Sequence, residues 1–62
     1  MGMSSSEYNY YARLIKDIVS NRTKEALIAV YRQILVRTGD LETLKELDRR
    51  YNSRWSIDLD RL

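Results

Sequence analysis

The sequence predicts an all-α fold. Three segments repeat apolar residues every three or four positions, each segment comes after a residue able to cap a helix, and a Thr38-Gly39-Asp40 junction combines a helix stop with a helix start. At 62 residues the chain has room for one domain, 1–62, and a core that is small for the surface around it.

The first helix is expected over about residues 7–20, after a flexible stretch 1–6 whose Ser4 to Ser6 offer capping hydroxyls. Tyr8, Tyr11, Ile15, Ile18 and Val19 form its apolar stripe, widened by Ala12 and Leu14. Ser20, Asn21 and Arg22 interrupt the pattern; Asn21 suits a left-handed helix end, and Thr23 can cap the next helix through its hydroxyl.

The second helix, about 24–37, carries Leu27, Ile28, Val30, Tyr31, Ile34 and Leu35 around more than half its circumference, with Glu25, Arg32 and Gln33 as a narrow polar strip. That breadth predicts a central helix in an antiparallel three-helix unit. It also exceeds what two neighbours can cover, which predicts dimerisation into a larger helical bundle through helices one and two.

Glycine at position 39 can take the left-handed conformation, and Asp40 can accept from the free amides of a third helix over about 41–52. Leu41, Leu44, Leu47 and Tyr51 share one face of that helix, and Glu42, Glu46 and Arg50 form a ladder of i,i+4 neighbours on another. The last segment, 53–62, is open between two readings. Trp55, Ile57 and Leu59 alternate as in an extended arm, one that a partner copy could exchange, while Tyr51, Trp55, Leu59 and Leu62 continue a helical stripe. On either reading Trp55 packs.

Composition narrows the function. Cysteine and histidine are absent, which removes disulfides, thiolate and imidazole metal ligands, thiol nucleophiles and the usual neutral-pH acid/base. Association with another chain is then the remaining way to support a small core. No catalytic, cofactor or metal residue is assigned: Asp58 and Asp60 lack the further oxygens and turn glycine of a calcium loop, and the glycines, Gly2 and Gly39, make no phosphate-binding loop. The pattern Met1-Gly2 with Ser6 meets the minimum for N-acylation, a weak signal, and Asn21-Arg22-Thr23 matches a glycosylation sequon with no apparent route to the secretory pathway. The apolar runs are too short for a bilayer and no signal peptide stands out, so a soluble, cytoplasmic protein without a membrane partner is expected.

The formal charge is +2, distributed as three basic against two acidic residues through Arg22, three against one from Thr23 to Thr38, and five against six from Gly39 onward. No segment is polarised strongly enough to mark a nucleic-acid binder. A helix-turn-helix reading fails on Asp40, Glu42, Glu46 and Asp48, which would repel phosphates from the third helix. Arg49, Arg50 and Arg54 remain possible nucleic-acid contacts, acting with tyrosines on single strands.

The large side chains point to protein binding. All six aromatics are Tyr or Trp, and Arg outnumbers Lys eight to three, a set that favours interfaces. Tyr8, Tyr10, Tyr11, Ile15, Tyr31 and Trp55 are the expected interface residues. Tyr10 leads, because it falls on the side of helix one away from Tyr8 and Ile15. The expectation is a non-enzymatic adaptor or regulator acting as a homodimer with a further, unnamed protein partner.

Overall fold

A computed structural model describes residues 2–62. Three helices, α1 (Ser5–Asn21), α2 (Lys24–Thr38) and α3 (Leu41–Tyr51), pack together, and a single 3₁₀ turn, Leu59–Arg61, closes the chain; there is no strand among the described residues. Met1 of the possible acylation pattern lies outside them.

Each helix starts where the sequence supplies an acceptor. Ser4 and Glu7 form a capping box: the Glu7 amide donates to Ser4 Oγ at 3.2 Å and the Ser4 amide donates to Glu7 Oε1 at 3.0 Å. α1 therefore begins at Ser5, two residues earlier than expected. The stretch ahead of it is tied down, because the Met3 amide donates to Asp40 Oδ2 at 3.0 Å and the Gly2 amide to the Thr38 carbonyl at 3.3 Å. Thr23 accepts from the Ala26 amide at 3.2 Å, and Asp40 from the Thr43 amide at 3.1 Å.

The helix ends divide into one expected and one corrected. Gly39 takes φ 62°, the left-handed cap anticipated for α2. Asn21 does not take that role at the end of α1. It stays helical, donating to the Asp17 carbonyl and carboxylate, while Arg22 adopts an extended conformation that leads directly into the extended cap Thr23. Two extended residues turn the chain, so no left-handed residue is needed.

Cross-chain contacts give the topology. Gly2 at the head of α1 meets Thr38 at the tail of α2, and Tyr31 near the middle of α2 meets Asp48 late in α3, so successive helices run antiparallel. Along the α1–α3 seam the order is parallel: Met3 with Asp40, Tyr8 with Glu46, Lys16 with Tyr51, then Val19 with Arg54. That seam, and not α2, holds the most extensive helix contact. α2 is one corner of a triangle; the expectation that it is flanked as a central helix does not hold.

The core comprises Tyr11, Ala12, Ile15 and Ile18 from α1, Leu27, Tyr31 and Ile34 from α2, Leu44 and Leu47 from α3, and Leu59 from the final segment. Of the two readings of residues 53–62 neither holds throughout: the segment runs without helix or strand to Asp58 and then closes in the 3₁₀ turn Leu59–Arg61. It passes the end of α1, where Arg54 bonds Val19, and returns to the middle of α3, where Asp60 pairs with Lys45 at 3.1 Å. Leu59 enters this chain's own core, with Trp55, Ile57 and Leu62 packed against it. Folding back wins over helix because Asn52 satisfies the local amides: its side-chain oxygen accepts from the amides of Arg54 and Trp55 and its amide nitrogen donates to the Trp55 carbonyl.

Candidate interaction surfaces

Three of the six expected interface residues lie inside the molecule. Tyr11, Ile15 and Tyr31 are core residues, with Tyr31 fully buried. The correction has a simple cause: the helical stripe that singled them out is the one the chain's other helices cover. Burial of Tyr31 requires a partner for its hydroxyl, which donates to Asp48 Oδ1 at 2.7 Å; Asn52 Nδ2 donates to the same oxygen at 2.8 Å. Desolvation first, and the bond to Asp48 second, push the Tyr31 hydroxyl well above the ordinary tyrosine range. Asp48, read in the sequence only as a charge that would repel phosphates, is the anchor of this network. Asn52 escaped sequence analysis altogether; its position just past the last leucine of α3 is the only local signal for it.

Tyr8 and Trp55 are half-buried and already engaged. The Tyr8 hydroxyl donates to Glu46 Oε2 at 3.0 Å and accepts from Arg50 Nη1 at 2.9 Å, joining α1 to α3. Trp55 carries the Arg54 guanidinium 4.7 Å above its ring. Tyr10 alone of the six is largely exposed, at 63%, with its ring edge-on to Tyr11.

Tyr10 stands on the rim of an open groove of about 580 Å³ between α1 and α2. Tyr11, Leu14, Val30 and Ile34 supply its apolar lining, and Gln33 and Arg37 the polar edge on α2. On α2 the groove is bounded by Val30, Gln33, Ile34 and Arg37, which share one side of that helix at intervals of three and four. Glu7 at the same end keeps its carboxyl below the ordinary range, chiefly through its bond with the Ser4 backbone and then the Ser4 hydroxyl.

The opposite side of α1 differs in every respect. Lys16 Nζ and the Arg50 guanidinium lie 5.8 and 5.9 Å from the centre of the Tyr51 ring, and Arg54 Nη1 donates to the Val19 carbonyl at 3.0 Å. Of the three arginines expected to contact nucleic acid, Arg50 and Arg54 are thus brought to one side of the molecule together with Lys16, which sequence reasoning missed. Arg49 is exposed, and no contact draws it to the Tyr51 ring.

No group of three or more potential metal ligands occurs among the described residues, and no helix there is long and apolar enough to cross a membrane. No family model, curated protein or solved structure matches this chain.

Proposed function

We propose that this protein is a small, non-enzymatic interaction module, an adaptor or regulator working in the cytoplasm, whose copies pair groove to groove through α1 and α2. The observation that carries the reading is the groove itself: an apolar floor with a largely exposed tyrosine on its rim. Tyrosine in that setting offers a large apolar body at small entropic cost, which is how interfaces use it.

A second copy suits the groove on charge. Its lining carries one residue of each sign, Glu7 and Arg37, so two copies facing each other across a two-fold axis meet without net repulsion. The lining otherwise offers packing surface, and its one carboxylate is already engaged by Ser4. Pairing here joins two folded units and leaves each arm on its own bundle.

Sedimentation or light scattering of the intact chain and of Tyr10→Glu tests the proposal. A dimer at micromolar concentration that becomes a monomer in the variant, with helical circular dichroism retained, supports it. A wild-type chain that stays monomeric across that range overturns the self-pairing.

A further inference from the structure

We propose that the α1–α3 side of the molecule carries a second, independent binding site, a short platform for single-stranded nucleic acid built from Lys16, Arg50, Arg54, Tyr51 and Trp55. The chain as a whole is only mildly basic, but the fold sorts its charges. Asp58 and Asp60 pair with Arg61 and Lys45, and Glu42 lies beside Lys45. Asp48 is taken by Tyr31 and Asn52, Asp40 caps α3, and Asp17 bonds Asn21. Glu46 is the one carboxylate bonded into the cluster, at 3.5 Å from Arg50. Lys16 and Arg54 have no ion-pair partner among the described residues, so two of the three cations in the cluster are free to meet an anionic ligand.

Cation geometry points to the ligand class. Lys16 and Arg50 share the Tyr51 ring, and Arg54 lies over Trp55 at the level of Val19, about one helical turn further along α1. Cations held at such intervals beside aromatic rings fit successive phosphates, and a guanidinium with one face on an indole can take a base on the other. An acidic peptide would use the charges but not that planar face. Duplex reading is disfavoured, since Glu42 and Glu46 lie along α3 itself.

The experiment titrates a labelled oligothymidylate against the full chain at low salt, following label anisotropy and Trp55 emission. Binding should quench Trp55 and weaken with salt along a log–log slope of about −2, as three phosphate contacts on a single strand require. Lys16→Glu should lower affinity at least tenfold, because Lys16 is exposed and its removal leaves the core intact. Arg32→Glu, the same charge change on α2 away from the cluster, should leave affinity nearly unchanged. Arg54→Lys should keep the salt slope and lose the quench. No binding at low salt, equal losses in Lys16→Glu and Arg32→Glu, or preference for an oligoglutamate peptide over the oligonucleotide would each overturn the proposal.

Discussion

The two flanks of α1 are built from one helix and end up as different surfaces. Toward α3 it meets long polar-tipped side chains, and the seam closes through Tyr8, Glu46, Arg50, Tyr51 and, past the end of α3, Arg54. Toward α2 it meets Val30, Gln33, Ile34 and Arg37, and the seam stays open with Tyr10 on its edge. Polar links between helices, more than apolar content, thus mark which side of this small helical unit is sealed. On the α3 side long side chains satisfy one another's polar ends across the seam, whereas among the described residues no hydrogen bond or ion pair joins the groove residues of α1 to those of α2.

Substitutions can break the contrast at its root. Ile15→Ala, at the fully buried centre of α1, should cost about 2 to 5 kcal/mol. A core of this size supplies only about 3 to 5 kcal/mol in total. Loss of helical circular dichroism at room temperature is the expected outcome, and a cooperative melt near that of the wild type would contradict the assignment of the core.

Next in size is Asn52→Ala, which removes the buried link between α3 and the arm and leaves the amides of Arg54 and Trp55 without their acceptor. A loss of about 1 to 3 kcal/mol is expected in denaturant melts, with Trp55 emission shifting to the red as the arm lifts. Trp55→Ala should cost about 2 to 3 kcal/mol, below the top of the range for a fully buried tryptophan, since Trp55 packs on the core while only partly buried. On the outer face of α2, Val36→Asp should change stability by less than about 0.5 kcal/mol, because nothing in the chain covers that position.

The pH dependence separates the two flanks more gently. The Tyr31 hydroxyl is harder to ionise in the folded chain than in the unfolded one, so its contribution is whole below about pH 10 and declines as pH rises past that point. Tyr31→Phe should flatten this alkaline decline in urea melts. At the other extreme, Glu7 and Asp40 have lowered carboxyl values, through their bonds to Ser4 and to the Thr43 hydroxyl and amide. Their contributions are present above about pH 4 and fade as pH falls below it. A Ser4→Ala, Asp40→Asn double variant that keeps the full acid decline would show that the caps are not its source.

Much of this was legible locally. A capping hydroxyl within Ser4 to Ser6, the caps at Thr23 and Asp40, the stop at Gly39 and the three apolar stripes depend on neighbours within a few positions, which is the range over which sequence alone speaks. Tyr10 was legible too, because its angular position on α1 is a property of one helix. Features that were not legible needed partners distant in sequence: that Tyr11, Ile15 and Tyr31 would be enclosed, that Tyr8 would bridge to Glu46 and Arg50, and that Lys16 would join the α3 arginines.

The sequence by itself determined that the chain is helical and where its helices are separated, because backbone capping and helical periodicity are short-range. Only the tertiary structure decided which stripe became core and which became surface, and whether the final segment was helix or arm. Those outcomes rest on side chains brought together by the fold, such as Asn52 holding Trp55, Asp48 taking the Tyr31 hydroxyl and Asp60 reaching Lys45, whose energies exist only once the helices have met.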